Sequence, residues 1–197
     1  MTSEEKKSLH QKYLDVAKES LIKVQYSCGG NATGIDETDA YVPIVPDHLH
    51  SGVHVSYLPA REDDVSAILH LLRTCQLPVS DLASGQRMFF VALADEQVIG
   101  CVAVEIYADG GLLRSLAVDS GFRGRGIGQK LVSEAENWAV NNGLSRLYLL
   151  TTTAAGFFTL QGWKNTERAT VPATIALSSE FASVCPSTAV CMTKALL

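Results

Sequence analysis

This sequence is poor in the features that mark several whole classes of protein. Its five cysteines (Cys28, Cys75, Cys101, Cys185 and Cys191) are scattered, odd in number and nowhere arranged as C-x-x-C. That excludes a dense disulfide framework and predicts buried or free thiols in a reducing compartment. No run approaches the roughly 18 apolar residues of a membrane span. The charged start, Ser3-Glu4-Glu5-Lys6-Lys7, lacks the apolar stretch of a signal peptide. A soluble, cytoplasmic protein is expected. Basic residues are the minority, 16 against 21 acidic, for a formal net charge of −5. A broad surface for nucleic acid or anionic membrane needs the opposite balance. Core-forming residues are not scarce: 47% hydrophobic and 19% charged residues exclude a disordered chain.

The 197 residues suit one domain plus a short appendage. Leu9, Tyr13, Val16, Ala17, Leu21 and Val24 recur at spacings of three and four, which predicts a helix over about 4–25. Residues 28–52 hold paired glycines, Asn31, Gly34, Pro43 and Pro46 without periodicity, so they read as an irregular linker. The division is therefore 1–52, an N-terminal helix and linker, and 53–197, the main domain. Val53–Leu58 is a predicted strand. Glu62–Cys75 is a helix with Val65, Ile68, Leu69 and Leu72 on one face, and acids in its first turn suit the helix dipole. Leu77-Pro78-Val79-Ser80-Asp81 breaks that helix and starts a short one. Met88–Leu93 and Val98–Tyr107 form a hairpin about Ala94–Gln97, and Leu112–Val118 adds a third antiparallel strand. A helix ends at Asn142, the strand Arg146–Leu150 is buried at its centre, and a short helix spans Ala154–Gln161. Residues 163–197 should supply two strands around a helical turn near Ser178–Ser183. A meander followed by a strand–helix–strand crossover is an α+β arrangement.

Between the third strand and the amphipathic helix stands Arg123-Gly124-Arg125-Gly126-Ile127-Gly128. Glycines let a backbone approach a bulky anion, and the first turn of a helix offers unpaired N–H groups with partial positive charge. Arg123 and Arg125 add fixed positive charge, so a pyrophosphate is the natural occupant. An R-x-x-G-x-G string alone also describes an ordinary bending turn. The setting between strand and helix is what gives it weight.

That setting resembles the GNAT acetyltransferase superfamily. Leu112-Leu113-Arg114-Ser115-Leu116-Ala117-Val118 is similar to the strand that the family places before its pyrophosphate loop. Phe158-Thr159-Leu160-Gln161-Gly162-Trp163 is similar to its later Y-x-x-x-G-F element, and the three pieces stand in the family's order over about residues 53–197. The resemblance implies a GNAT fold: a mixed, mostly antiparallel central sheet flanked by helices, here with an N-terminal helical appendage. It implies acetyl-CoA as co-substrate and no metal. The backbone of Leu116, Ala117 and Val118 would pair with pantetheine, the N–H groups from Arg123 to Gly128 would hold the pyrophosphate, and Phe158 would lie against the cofactor.

Two further blocks narrow the resemblance. Tyr148-Leu149-Leu150-Thr151-Thr152-Thr153-Ala154-Ala155-Gly156-Phe157-Phe158 and Glu180-Phe181-Ala182-Ser183-Val184-Cys185-Pro186-Ser187-Thr188-Ala189 resemble the acetyltransferases of bacterial arsenic-resistance operons, the ArsN group. More distantly they resemble N-acetylglutamate synthase, whose strand ends in a similar Leu-Thr-Thr. The implied acceptor is a small α-amino acid of glutamate-like shape, including arsenic- or phosphorus-bearing analogues. Arg114 is the candidate partner of its acid group, with a surface ion pair as the alternative. Ser115, Thr151, Thr152 and Thr153 are further candidate substrate contacts, though threonine is also an ordinary strand residue. A homodimer stays open.

For chemistry, Glu105 near its strand end is the candidate base through water, against a solvated strand-end carboxylate, with Asp109 in reserve. A backbone N–H of Leu116–Val118 would face the thioester oxygen. Phe158 departs from the family's tyrosine, so the thiolate's proton must come from water, a threonine or Tyr107. A catalytically silent CoA-binding sensor, or a biosynthetic enzyme like N-acetylglutamate synthase, are the rival functions. His48, His50 and His54 lack partner ligands at metal-binding spacing and read as solvated. Trp138 and Trp163 read as core aromatics.

Overall fold

The computed structural model describes residues 54–82 and 87–196. The expected N-terminal helix, its linker, and His48 and His50 lie outside the described residues. The chain runs β1 (Val55–Pro59), α1 (Val65–Thr74), β2 (Arg87–Ala94), β3 (Gln97–Tyr107), β4 (Gly110–Val118) and α2 (Ile127–Asn141). It continues with β5 (Arg146–Thr151), α3 (Ala155–Leu160), β6 (Lys164–Asn165), α4 (Ala173–Ala176) and β7 (Val190–Ala195). One seven-stranded sheet has the order β1-β2-β3-β4-β5-β7-β6. Strands β1 to β4 are antiparallel neighbours, β4 and β5 are parallel, and β7 returns antiparallel to both β5 and β6. The expected mixed, mostly antiparallel sheet flanked by helices is what the chain forms.

Local chemistry explains the borders. Before α1, the Arg61 N–H donates to Asp64 Oδ2 at 2.7 Å, so one of the first-turn acids acts as a cap. The β2–β3 hairpin closes through Asp95 (φ 47°) and Glu96 (φ 64°), the backbone of a two-residue primed turn. After α1 the chain makes a single turn at Val79–Leu82 instead of the short helix expected there. Pro78 removes a helical donor at that point. The segment between β6 and β7 is more elaborate than one helical turn: α4 is followed by one turn of π-helix, Glu180–Val184.

Each face of the sheet is covered. Helix α2 packs Leu131, Val132, Ala135 and Ala139 against Phe90, Val102, Val104, Leu113, Leu147 and Leu149. Trp163 joins this cluster and is 1% exposed; Trp138 packs edge-on to Phe90 at its margin. On the other face α1 covers Val91, Leu93, Cys101 and Ala117. Beside it, Val171 and Ile175 from the β6–β7 connection cover Leu112, Tyr148 and Cys191. Strands β4 and β5 approach closely at Gly111, where a Cβ would lie 2.6 Å from Leu147 Cδ2. The described cysteines are free thiols.

Leu131 lies fully buried at the centre of the α2 face. Leu131→Ala is expected to lower unfolding free energy by about 2–5 kcal/mol in urea titration, the usual range for a leucine-sized core cavity.

Candidate active site

The site begins where the sheet comes apart. The β4–β5 ladder consists of Gly111↔Leu147 and Leu112↔Tyr148, and beyond Leu112 the two strands have no paired residues. On its other side β4 stays with β3, but one residue of β3, Val102, faces both Ser115 and Leu116. Ser115 sits in the left-handed region at φ 55°. This is a β-bulge, which bends the bulged strand and re-aims its peptide groups. The β5-side edge of Leu116, Ala117 and Val118 therefore faces an opening, with Ala117 buried and its two neighbours partly so.

The glycine loop follows β4 and comes back against its end at Val118 and Gly128. Gly124 (φ 72°) and Gly126 (φ 77°) both hold left-handed backbone, and Gly126 stands at the N-cap of α2. A side chain at either would be strained, so these glycines serve conformation as well as access. Gly128 fits between Val118 and Phe157, whose Cζ would be 3.4 Å from an added Cβ. The first-turn amides of α2 have no intrahelical acceptor and point out of the helix end. Arg123, Gly124, Arg125 and Gly126 are exposed, while Ile127 anchors the turn in the core. Arg123 Nε donates to the Val118 carbonyl at 3.1 Å, and Arg125 Nη2 to the Gly121 carbonyl at 3.2 Å. Arg125 also lies over the Phe122 ring at 5.2 Å. Both guanidiniums are thus steered by local contacts and keep donors facing solvent.

The opposite face of β4 carries a buried charged cluster. Arg114, 5% exposed, meets Asp81 through both terminal nitrogens at 2.5 and 2.9 Å, Glu105 at 3.0 Å and Glu180 at 2.7 Å. Glu105 also pairs with Arg87 at 2.6 Å and accepts the Tyr107 hydroxyl at 2.6 Å. Ser179 Oγ donates to Asp81 at 2.6 Å, and Cys185 Sγ to Glu180 at 3.1 Å. The cluster joins the turn after α1, three strands and the β6–β7 connection.

Burial alone would raise the Asp81 carboxyl, but hydrogen bonds from Arg114 and Ser179 and the charges of Arg114 and Arg87 hold it below its ordinary 3.8. Burial would lower Arg114, yet its three carboxylates raise it. Arg87 is lowered, chiefly by burial. Burial and Glu105 raise the Tyr107 hydroxyl, and burial with Glu180 pushes the Cys185 thiol up to about 12. Tyr107 and Cys185 therefore stay protonated as donors at neutral pH.

Several expectations change against this geometry. Glu105 is neither solvated nor at an open strand end: it is 4% exposed, and both oxygens are engaged. Taking up an amine's proton would cost it those partners. Arg114 makes no surface ion pair, because its partners are buried with it. Phe158 is a core residue, 5% exposed, packed edge-on against Phe157 and Trp163. Thr151 Oγ1 accepts the Ala154 N–H at 2.9 Å and so turns the chain into α3, while Thr152 and Thr153 are exposed beside it. Asp109 is exposed and takes the Thr174 hydroxyl at 3.3 Å. Asp81, Arg87, Ser179 and Glu180 were missed as site residues. No periodicity links positions as far apart as Asp81 and Ser179, which are separated by 98 residues. Among the described residues no group of three or more His, Cys, Asp or Glu is placed to hold a metal ion, and no helix is long and apolar enough to cross a membrane.

A strand bulged before a diverging parallel neighbour, with an Arg-Gly loop at the next helix start, agrees with comparison to known proteins. Residues 55–163 match the acetyltransferase (GNAT) family. This chain belongs to the GNAT family. It is 39% identical over 95 residues to an uncharacterized N-acetyltransferase, CT2212, of Chlorobaculum tepidum, covering 48% of this chain and 61% of that protein. The chain thus spans less than two thirds of that relative's length. Its fold is similar to N-acetylglutamate synthase from Neisseria gonorrhoeae complexed with coenzyme A and N-acetyl-glutamate (23% identity, TM-score 0.63, 75% of this chain and 36% of that one). It is also similar to Rv2747 of Mycobacterium tuberculosis in complex with CoA (27% identity, TM-score 0.61, 72% of this chain and 99% of that one). A Staphylococcus aureus GNAT acetyltransferase shares the fold at 14% identity, TM-score 0.61, over 73% of this chain and all of that one.

A carboxyl held below its ordinary value contributes stability that is present above that value and lost as pH falls through the lowered one. Asp81→Asn is therefore expected to cost about 1.5–3 kcal/mol near neutral pH, as for a hydrogen bond to a charged group. Urea titration across pH should show this deficit shrinking as the pH drops below 3.8.

Proposed function

We propose that the protein is an acetyl-CoA-dependent N-acetyltransferase acting on the α-amino group of a small, glutamate-like amino acid. The observation that carries this reading is the pairing of an opened β4 edge with a cationic, glycine-bent helix start at its mouth. Those residues fit coenzyme A. The amides from Arg123 to Gly128 and the two guanidiniums suit a diphosphate, and the free edge of Leu116–Val118 suits the amides of a pantetheine arm. Acetyl-CoA supplies the acetyl group as a thioester.

The chain's own residues do the rest by placement. An N–H on the re-aimed β4 edge donates to the thioester oxygen. Arg114 lies in the same strand, immediately before the bulge, and is the cationic group for the acceptor's acid function. Ser115 forms the bulge, and Thr151, Thr152 and Thr153 border the β5 side of the opening. Glu105 orders Arg114 and Arg87. With its oxygens already bonded and Phe158 lacking a hydroxyl, protons move by way of water in this reading. Positioning alone contributes up to roughly 7–11 kcal/mol to such a transfer, enough to dispense with a dedicated side-chain base.

The ArsN-like blocks at Tyr148–Phe158 and Glu180–Ala189 support an acceptor such as glutamate or its arsenic- or phosphorus-bearing analogues, and with it a role in resistance by acetylation. A second reading, a CoA-binding module without turnover, is favoured by the engaged Glu105 and by Phe158.

Incubation with acetyl-CoA and a panel of glutamate, phosphinothricin and arsinothricin, following free thiol release, is expected to show turnover with at least one. Binding of acetyl-CoA by calorimetry with no transfer to any primary amine establishes the second reading instead. Arg123→Ala combined with Arg125→Ala is expected to raise the Kd for acetyl-CoA about 10- to 100-fold, from the loss of charge-assisted bonds. Higher salt should narrow that difference.

A further inference from the structure

Among the described residues, three carboxylates meet two guanidiniums in the cluster around Arg114. Buried charge is tolerated only where each ion is well bonded, and the three acids are not held equally. Asp81 takes the Nη1–Nη2 edge of Arg114 with two bonds and accepts Ser179 as well. Glu105 is shared by Arg87 and Arg114 and accepts the Tyr107 hydroxyl. Glu180 has one ion pair, Oε2 to Arg114 Nη2 at 2.7 Å, and the Cys185 thiol on its other oxygen. A thiol is a weak donor. Glu180 is also carried by a π-turn in a connection, not by a strand.

Glu180 moreover half-uses the edge it touches. A carboxylate seated on Nε and the adjacent Nη of an arginine makes two parallel N–H···O bonds. In Arg114 the Nε is buried without an acceptor, while Glu180 takes Nη2 alone. A buried donor without an acceptor is costly.

We propose that Glu180 is an exchangeable occupant of an anion subsite on Arg114, displaced when the acceptor's carboxylate, phosphinate or arsinate takes Nε and Nη2 together. This rests on the acetyltransferase reading above and makes Glu180 a specificity-determining residue. The exchange leaves the charge of the cluster unchanged, gives an acceptor to the one Arg114 nitrogen that has none, and returns Glu180 to water. An amine without an acid group cannot make the exchange and meets a closed subsite.

The test compares the full-length protein with its Glu180→Gln variant. KM for L-glutamate is measured by thiol release, and the Kd for L-glutamate by calorimetry with CoA present. Both are expected to fall about tenfold in the variant, since a neutral amide competes less well for a guanidinium. The acid-free amine 2-phenylethylamine is expected to show no matching gain, which a general loosening of the fold would produce. Equal glutamate affinities, weaker binding by the variant, or no binding by either protein overturns the proposal. Should Glu180→Gln melt at a lower temperature, Cys185→Ala loosens Glu180 while keeping the ion pair. A lower KM for glutamate in that variant supports the exchange, and an unchanged or higher one overturns it. Calorimetry needs no turnover, so absent acetyl transfer defeats the activity reading alone, whereas equal affinities defeat the exchange alone.

Discussion

Strand β4 cannot stay paired with both of its neighbours, and the rest of the site follows from that. The bulge at Ser115 keeps β4 on β3 at the cost of an irregular step, and the parallel ladder to β5 stops after Leu112. Unpaired strand edges are normally a hazard, because exposed N–H and C=O groups recruit other strands. Here the edge is left by the divergence of β4 and β5, and the start of α2 packs beside it, Gly128 against Val118 and Phe157. The same crossover that makes β4 and β5 parallel brings the N-terminus of α2 beside the unpaired end of β4, so one topological choice sets unpaired strand groups next to unpaired helix-end amides.

The charged cluster on the other face of β4 answers a different need. Two of the apolar clusters on that face, one under α1 and one under the β6–β7 connection, leave a seam filled by Asp81, Arg87, Glu105, Arg114 and Glu180. Apolar side chains would seal such a seam at no smaller gain in stability, since desolvation offsets much of a buried ion pair's attraction. An ionic seam does what an apolar one cannot: it positions a guanidinium and leaves part of its hydrogen-bonding capacity open. It also joins the turn after α1 to the β6–β7 connection.

The sequence made much of the fold legible, for local reasons. The α1 and α2 stripes, the hairpin at Asp95-Glu96 and the buried centre of β5 each depend on spacings of a few residues, and each stands where the pattern places it. The glycine loop was legible because its φ values, its helix start and its arginines are neighbours in the chain. The short helix expected after α1 failed at Pro78. The π-turn stands about where a helical turn near Ser178–Ser183 was expected, but its i→i+5 bonding had no signature, since so short a turn imposes no repeat on the side chains.

What the sequence by itself determined is the alternation of strands and helices, the faces that become core, and a cationic, glycine-bent loop at a helix start. Those are consequences of periodicity and backbone freedom, which act over one or two turns of chain. Only the tertiary structure decided what the charged residues do. Glu105 stood in the sequence as a candidate base near its strand end, and folding buried it between two guanidiniums. Arg114 stood as a candidate partner for an acceptor's acid group or as half of a surface ion pair, and folding brought Asp81 and Glu180 onto it from opposite sides in sequence. Charge acts through space over a few ångströms regardless of separation along the chain, so the partners of a buried ion are fixed by topology.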